Sequence, residues 1–530
     1  MFENLLTHSP ALIVAIPLLG AFLTPLVGKI NDKLRNIFAI IIVALNSFII
    51  LLLANDVLTT GSVRTYIFGG TTATYGPDTA PYAVRILFEV DGLNAYMLVL
   101  AAILPLAAVI YSWAFMKDET GQDKYYTLIL LLTAGMIGLM TTGDLFNFFV
   151  FLEITSIASA ALIAYRTGNK FSVQAGFKYI VVSTIGALFF LMAIAILYGQ
   201  YNALNMAIIA NSLTYSFLDK IALVLMIVAL AMKAGIAPMH MWLPESYGRA
   251  PSSVTVVIVG TTLGSFYGIL RVGFTIFGNQ IIYSPNLVTS NVLGWMLVGL
   301  AIITIFIGVL MALKENDFKK MIGYAAVAEI GYMLLAFGTA LATVFQDQVT
   351  GIVGFAPAGI TALKGGMFHI LNDALDVSLL FLVAGAVYYV SKESSLNKLG
   401  GLARNMKYTT IFFVIGLVAV SGLPPLNGFA SKLIIYQATY EINPILAIVA
   451  ILGSILLLAT FVKVFYAAFL GPKLPKFDKV KEVPASMLIG MLILTCVIIF
   501  IGLFPNIVVE NIVTPAVTAL QNASAYIGGI

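Results

Sequence analysis

The sequence predicts an all-α protein that crosses a membrane many times. The first observation is composition: of 530 residues, 60% are hydrophobic and only 10% are charged, and the mean hydropathy is +1.01. Soluble proteins are about 45–50% apolar and about 25% charged. The second and third observations are long apolar runs and an alternation of basic connections between them. This composition excludes a soluble enzyme, a disordered chain and a nucleic-acid-binding protein.

Apolar runs define the individual membrane spans. A span needs about 20 apolar residues, so the chain has room for roughly fourteen spans with short connections. In chain order the predicted spans cover 11–28, 36–54, 92–114, 126–142, 145–165, 174–198, 219–237, 252–276, 293–313, 319–339, 362–390, 408–440, 444–470 and 485–508. The short connections leave no sizeable domain outside the membrane.

Basic residues in the connections predict the orientation, because Lys and Arg concentrate in cytoplasmic loops. Every connection after an odd-numbered span carries Lys or Arg. On the other side only Arg64 and Arg85 occur, both in the connection 55–91. We therefore expect a multi-pass protein of the cell membrane with both termini on the non-cytoplasmic side.

Two spans contain helix-breaking residues. Gly235 and Pro238 interrupt the seventh span, and Pro424, Pro425 and Gly428 interrupt the twelfth. Broken helices at membrane depth line cavities, and paired breaks are typical of transporters built from inverted repeats. The alternative is two unrelated proline kinks.

These breaks predict the internal organisation, because the seventh and twelfth spans run in opposite directions. We expect two inverted five-span repeats, spans 4–8 and 9–13. The predicted units are spans 1–3 with an external loop (1–125), the first repeat (126–276), the second repeat (293–470), and the last span with the C-terminus (485–530).

Charged residues inside the spans are the functional signal. A Lys or Asp at mid-bilayer costs about 2.5–3.5 kcal/mol on insertion scales, and such residues usually mark an ion or proton path. Glu153 lies in the fifth span, Lys233 lies in the seventh, and Lys432 follows the break in the twelfth. A buried lysine can cycle between charged and neutral forms, and a nearby carboxylate would hold it protonated. The alternatives are a structural carboxylate and a static ion pair.

Further ionisable groups lie in the tenth and eleventh spans. His369, Asp373 and Asp376 have i, i+4, i+7 spacing and therefore share one helix face, and Glu329 lies on the preceding span. Histidine titrates near neutral pH and suits a proton relay, although a lone membrane histidine can be a packing residue. His240, after the break in the seventh span, completes the predicted ion-translocation set.

Other basic residues are expected to be structural. Lys220, Arg271 and Lys463 lie near span ends, where long side chains reach the membrane interface.

The sequence predicts no cofactor in this chain. Cys496 is the only cysteine, so no disulfide, iron–sulfur cluster or cysteine zinc site is expected. The histidines, His8, His240 and His369, lie far apart in sequence and do not suggest a metal or haem site. Redox chemistry would belong to other subunits, and no catalytic centre is expected here.

Five segments carry a family resemblance: NFFVFLEI, KAGIAPMHMWLPESYGRAPSSV, KKMIGYAAVAEIGYMLL, MFHILND and SGLPPLNGFASK. In this order they resemble the antiporter-like membrane subunits shared by respiratory complex I, membrane-bound hydrogenases, sulfur reductases and Mrp-type Na⁺/H⁺ antiporters. The resemblance runs from about residue 80 to 470. It implies a fourteen-helix, D-subunit-like fold with inverted repeats and a central line of charges. Glu153, Lys233, His369 and Lys432 match the family's charged positions, with Glu153 and Lys233 as a pair.

The sequence departs from the family pattern at the centre of this line. Leu263 and Val377 stand where lysines are usual, Asp373 where a second histidine is common, and Glu329 where Gln or Ser is usual. The central link is therefore remodelled or cut. Carboxylates and water could bridge it, or the path could conduct through only half its length.

The sequence thus predicts a proton-translocating subunit of a multisubunit, redox-driven complex related to complex I and membrane-bound hydrogenase. The alternatives are a subunit of an Mrp-type Na⁺/H⁺ antiporter, a structural subunit with an interrupted path and, ranked last, a standalone transporter of a small solute. Expected partners are other membrane subunits, including another antiporter-like subunit, the bilayer, H⁺ and, in the alternative, Na⁺. Partner subunits would carry the iron–sulfur clusters or a nickel–iron site. Nucleic acid is not an expected partner.

Overall fold

The structure, a computed structural model, describes residues 2–68, 86–282, 287–346, 353–472 and 474–528. Arg85, used above for the orientation, lies outside the described residues. The first elements are α1 (Phe2–Gly28), α2 (Asp32–Thr60), the antiparallel strands β1 (Arg64–Ile67) and β2 (Leu87–Val90), and α3 (Gly92–Phe115).

The helices of the middle of the chain follow with short connections. They are α4 (Gln122–Thr141), α5 (Leu145–Ile163), α6 (Lys170–Tyr201), α7 (Met206–Ser212), α8 (Phe217–Ala234), α9 (Trp242–Arg249), α10 (Ser252–Leu270) and α11 (Gly278–Ile281). A π-helix, Arg271–Ile276, continues α10.

The rest of the chain is again mainly helical. Its elements are α12 (Leu287–Lys314), α13 (Phe318–Ala342), β3 (Val344–Gln346), β4 (Val353–Phe355), α14 (Pro357–Ser391), α15 (Lys407–Val420), α16 (Asn427–Ile442), α17 (Pro444–Val464), α18 (Ala485–Leu503), α19 (Pro505–Val508), α20 (Thr514–Gln521) and α21 (Ser524–Ile527).

The all-α, polytopic membrane fold predicted from the sequence is confirmed. Among the described residues, thirteen helical segments are long and apolar enough to cross a membrane, and they coincide with thirteen of the fourteen predicted spans. The remaining span, 408–440, was expected to be one helix with internal prolines. It is two helices, α15 and α16, because the segment between them contains Pro424 and Pro425, which lack the N–H groups that would continue the helix.

The central helices differ from the outer ones in burial. The apolar part of α14 is 100% buried and those of α10 and α13 are 94% buried, whereas less than half of α2, α6, α12 and α17 is buried. The outer helices therefore present apolar side chains to lipid or to neighbouring subunits. The polar residues of α10, α13 and α14 are enclosed by protein.

Arg271 corrects one prediction. It does not reach the membrane interface; it is 1% exposed and forms a two-pronged ion pair with Asp91, with Nη2–Oδ1 at 2.7 Å and Nη1–Oδ2 at 2.8 Å. Asn94 accepts a further bond from Arg271. Asp91 also caps α3, so this ion pair ties the end of α10 to the start of α3. Lys463 binds the carbonyl groups at the end of α12, and Lys220 is exposed.

Glu89, on β2, is a buried acid beside this ion pair. It is 0% exposed, and neither carboxyl oxygen has a hydrogen-bond partner among the described residues. Burial raises the pKa of Glu89 well above its usual range, and the Arg271 guanidinium, which favours the ionised form, does not offset this. Arg271 is already neutralised by Asp91, so an ionised Glu89 would be an uncompensated buried charge.

We expect Glu89→Gln to make the folded protein more stable at neutral and alkaline pH. An acid whose pKa is higher in the folded state binds more protons there, so stability falls as pH rises above its unfolded pKa of about 4.3. The loss is about 1.4 kcal/mol per pH unit until the folded pKa is reached. Thermal unfolding in detergent over a pH series measures it. The two proteins should agree near pH 4.3 and diverge above it, and identical pH profiles would contradict the prediction.

Candidate functional site

Glu153 and Lys233 form the first buried acid–lysine pair. Glu153 lies on α5 and Lys233 on the last turn of α8, and Lys233 Nζ is 3.9 Å from Glu153 Oε1. Lys233 Nζ also donates to Ser156 Oγ at 2.5 Å and to the Leu152 carbonyl at 3.2 Å. The ion pair is therefore loose, while a hydroxyl and a carbonyl hold the ammonium group directly.

The end of α8 positions Lys233. Gly235 adopts φ +74°, a left-handed conformation that favours glycine and ends the helix. Pro238 follows, and the chain continues through a short turn, Met239–Met241, into α9. The predicted break in this span is therefore present, and it lies one turn or less from the ammonium group.

Glu329, His369 and Lys432 form a second group, the Glu329 cluster. Lys432 Nζ on α16 lies 2.8 Å from Glu329 Oε1 on α13, and His369 Nε2 on α14 lies 2.8 Å from Glu329 Oε2. Each of the three residues is 1–2% exposed. The carboxylate thus bridges a lysine and a histidine inside the protein. The sequence places Glu329 in the predicted ion-translocation set without naming a partner for it; in the structure it joins three helices.

The break between α15 and α16 supports the Glu329 cluster. Lys432 Nζ donates to the carbonyl of Val420, the last residue of α15, at 2.8 Å. Gly422, in the break, adopts φ +71°. A side chain at Gly428 would collide with the Ala419 carbonyl, so glycine allows α16 to approach α15 closely.

The acidic residues of α14 have different surroundings. Asp376 Oδ1 accepts from Asn427 Nδ2 at 2.9 Å, and Asn372 in turn donates to the Asn427 carbonyl. Asp376 is therefore connected to the start of α16 at the break. Asp373 is 4% exposed, and its Oδ1 has no hydrogen-bond partner among the described residues.

His240 lies apart from these groups. It is 8% exposed, and within the described ranges no hydrogen bond or ion pair joins its side chain to the other predicted site residues. The structure therefore brings together Glu153 with Lys233, and Glu329 with His369 and Lys432. In the described part of the chain, no hydrogen bond or ion pair joins His240 to either group.

The neutral hydroxyl groups that surround Lys233 were not predicted from the sequence. A polar cavity of about 10 Å³, close to the room that one water molecule needs, adjoins Lys233. Its wall includes the hydroxyl residues Thr155, Tyr179, Ser183, Thr261, Thr262 and Ser265. Thr262 accepts a hydrogen bond from Tyr247 Oη at 2.7 Å. Serine and threonine in helices commonly bond their own backbone, so only the concentration of hydroxyl residues on α10 offered a signal.

Cation-binding side chains do not gather into a metal site in the part of the chain that the structure describes. No group of three or more His, Cys, Asp or Glu residues there could hold a metal ion. The ionisable groups of the site instead include two acid–lysine pairs, and Asp373 and Asp376 lie outside both.

Fold and site together define a polytopic helical membrane protein with paired acids and bases buried in its core. The class to which this architecture corresponds is that of antiporter-like membrane subunits. The chain belongs to the NADH:quinone oxidoreductase/Mrp antiporter transmembrane family, which matches residues 142–458. Residues 78–126 match the N-terminal family of chain 5 of NADH-ubiquinone oxidoreductase (complex I).

Curated relatives confirm the resemblance found in the sequence. The chain is 30% identical over 529 residues to NADH-quinone oxidoreductase subunit N of Desulforudis audaxviator, covering 96% of this chain and 98% of that protein. It is also 30% identical over 441 residues to a Na⁺/H⁺ antiporter protein of Alkalihalophilus pseudofirmus, the D component of that antiporter, covering 82% of each.

Solved structures support the same assignment. A chain of the Mrp complex from Dietzia sp. has a TM-score of 0.82 and 25% identity over 99% of both chains. A chain of the membrane-bound sulfane sulfur reductase, an archaeal respiratory membrane complex, has a TM-score of 0.82 and 27% identity, covering 98% of this chain and 99% of that one. These relatives are subunits of multisubunit membrane complexes, and the chain is a multi-pass membrane protein of the same kind.

Proposed function

We propose that this chain translocates protons as a subunit of a multisubunit, redox-driven membrane complex. The observation that carries the proposal is a buried lysine with a carboxylate partner at each of two helix breaks: Lys233 with Glu153, and Lys432 with Glu329. Buried ionisable residues in membrane helices are costly, and their usual role is in ion or proton paths.

The order of the elements supports two equivalent sites. Glu153 lies on the second span of the predicted first repeat and Lys233 on its fourth. Glu329 and Lys432 occupy the second and fourth spans of the predicted second repeat. The units 126–276 and 293–470 would therefore each supply one acid–lysine pair, in opposite orientations across the membrane.

The two pairs differ in a way that suggests how a proton moves. At 3.9 Å, Glu153 holds Lys233 weakly, so a small displacement separates their charges and favours release of a proton from the lysine. At 2.8 Å, Glu329 holds Lys432 tightly and contacts His369 as well. A proton arriving at the Glu329 cluster can be held by His369 or by Lys432, with the carboxylate as the shared counter-charge.

The setting is proposed from the relatives. The chain is similar to an NADH-quinone oxidoreductase subunit over 96% of its length and to a chain of an archaeal respiratory membrane complex over 98%, and these two relatives support a redox-driven complex. The proposed partners are other membrane subunits, including a second antiporter-like subunit, and subunits that carry iron–sulfur clusters or a nickel–iron site. We place the chain in the cell membrane with both termini outside the cytoplasm, as the basic connections predict.

Two alternatives follow from specific observations. The Na⁺/H⁺ antiporter relative favours an Mrp-type Na⁺/H⁺ antiporter. Leu263 and Val377, both buried and apolar, favour a structural subunit with an interrupted path. Removing Na⁺ separates the first alternative from proton translocation, because Na⁺/H⁺ exchange stops without Na⁺ and redox-driven proton movement does not.

Glu329→Gln tests the proposal directly. Glutamine keeps the shape of the side chain but removes the charge that Lys432 and His369 share, so we expect proton flux to fall about tenfold or more. Flux is measured in sealed vesicles with the natural electron donor and normalised to assembled complex. The control is Glu393→Gln, which removes a carboxylate that pairs, among the described residues, with the exposed Lys476 and Lys398 at 3.4 and 3.9 Å. Unchanged flux in the Glu329 variant would contradict the proposal.

A further inference from the structure

Apolar residues occupy the two positions at which lysines are usual in the family. Leu263 on α10 and Val377 on α14 are 2% and 0% exposed and cannot carry a proton. The cavity beside Lys233 nevertheless reaches α10, because Thr261, Thr262 and Ser265 form part of its wall. The polar surroundings of Lys233 therefore extend to the helix that packs against α14.

Tyr247 continues this polar connection. It is 1% exposed, and its Oη donates to Thr262 Oγ1 at 2.7 Å. Its ring packs edge to face on Phe381 of α14, with ring centroids 5.4 Å apart. Tyr247 thus contacts both α10 and α14, and its hydroxyl points back to the wall of the Lys233 cavity.

The face of α14 beside Tyr247 also carries an acid. Asp373, Val377 and Phe381 follow one another at four-residue spacing and so lie along one helix face. Asp373 lies about two helical turns along this face from Phe381, whose ring the Tyr247 ring contacts. One of its oxygens, Oδ1, is buried without a hydrogen-bond partner among the described residues, so it can accept a proton or a hydrogen bond.

We propose that the hydroxyl groups of Tyr247 and Thr262, the hydroxyl bridge, relay protons between the Lys233 cavity and Asp373. The proposal rests on the proposed function and specifies its central step. Two neutral hydroxyls 2.7 Å apart connect the cavity beside a buried ammonium group to the helix that carries Asp373, whose Oδ1 has no hydrogen-bond partner among the described residues. A proton can move through these hydroxyls without any new buried charge remaining on the bridge.

The proposed proton transfer is a series of single steps in which every hydrogen gained by one group is lost by its neighbour. An N–H proton of Lys233 passes through a water molecule in the cavity to Thr262 Oγ1. The hydroxyl hydrogen of Thr262, which now points to the Ile258 carbonyl at 3.0 Å, turns and passes to Tyr247 Oη. The hydroxyl hydrogen of Tyr247, which in the structure points to Thr262 Oγ1, turns toward α14 and passes through water to Asp373. Lys233 becomes neutral, Asp373 becomes neutral, and each hydroxyl has gained one hydrogen and lost one.

Paired substitutions test the bridge in the assembled complex. Tyr247→Phe keeps the ring contact with Phe381 and removes only the hydroxyl, and Thr262→Val keeps the side-chain shape. We expect each to lower proton flux in sealed vesicles about tenfold or more. Thr262→Ser retains the hydroxyl and should keep at least half of the flux. The matched control is Tyr111→Phe, because Tyr111 is equally buried and donates to the Leu382 carbonyl of the same helix α14 at 2.8 Å.

The outcomes separate the bridge from the proposed function. Normal flux in both Tyr247→Phe and Thr262→Val, with flux lost in Glu329→Gln, overturns the bridge and leaves the proposed function intact. Equal losses in Tyr247→Phe and Tyr111→Phe also overturn it, because packing would then explain the effect. If Tyr247→Phe does not assemble, the comparison of Thr262→Val with Thr262→Ser decides. Flux that survives Glu329→Gln rejects the proposed function instead.

Discussion

Lys233→Ala is expected to reduce proton flux to the background of the vesicles, a loss of about 100-fold or more. The substitution removes the buried ammonium group that Ser156 and Leu152 hold and that Glu153 faces at 3.9 Å. Assembly should survive, because the side chain of Glu153 is 26% exposed and is not left as a fully buried charge. Vesicle flux per assembled complex measures the effect.

Lys233→Arg supplies the sharper version of this experiment. Arginine keeps a positive charge near Glu153 but does not release its proton at accessible pH, so flux should fall nearly as far as in Lys233→Ala. A static ion pair predicts the opposite, because a permanent charge would satisfy it. Normal pumping by either variant would exclude Lys233 from the path. The matched control is Lys398→Ala at a surface lysine, which should leave proton flux unchanged because the Lys398 side chain is 65% exposed.

The spans and the lysines were predictable because their causes are local. About 20 apolar residues suffice to cross a bilayer, and a lysine within such a run is conspicuous at once because it is costly there. The roles of Glu329 and Arg271 were not predictable in the same way. Each depends on residues from distant segments: Glu329 meets Lys432 103 positions away, and Arg271 meets Asp91 180 positions away.

The hydroxyl residues were hidden for a different reason. Tyr247, Thr262 and Ser156 carry no charge, so they change neither the hydropathy nor the loop-charge pattern from which the fold and the site were predicted. Their importance follows from contacts: Ser156 binds Lys233, and Thr262 joins Tyr247 to the Lys233 cavity. A prediction based on buried charge finds the ionisable groups and overlooks the neutral hydroxyl groups beside them.

The second large effect on proton flux is expected from substitution of the acidic residues of α14, Asp373 and Asp376. In the sequence both acids are candidates for the carboxylates that could bridge the remodelled centre, and substituting both by asparagine should block transport about as severely as Lys233→Ala. The structure separates their surroundings. Asn427 already binds Asp376, whereas Asp373 has an oxygen with no hydrogen-bond partner in the described part of the chain and shares a helix face with Phe381, which Tyr247 contacts.

We therefore expect Asp373→Asn alone to account for most of the loss in the double variant, again approaching 100-fold. Asparagine cannot carry the proton that the carboxylate accepts, although it fills the same space. Asp376→Asn should be milder, because the new amide oxygen can still accept from Asn427 and hold the start of α16. Flux per assembled complex in the two single variants and the double variant measures this difference. Normal pumping by the double variant would mean that the path is cut at the centre.

A lysine introduced at Leu263 or Val377 adds a charge instead of removing one, and it distinguishes a conducting centre from an interrupted one. A new cation between Lys233 and Asp373 would hold the carboxylate ionised and oppose its protonation, so a working carboxylate path should lose flux. A path that is already interrupted has no flux at this point to lose, and the new group could only leave it unchanged or reconnect it. Val377→Lys is the more direct of the two, because Val377 lies one helical turn from Asp373 on the face next to Tyr247. Lost flux in both Val377→Lys and Asp373→Asn would show that protons pass through Asp373. A gain in flux in Val377→Lys would show that the path is interrupted at this point.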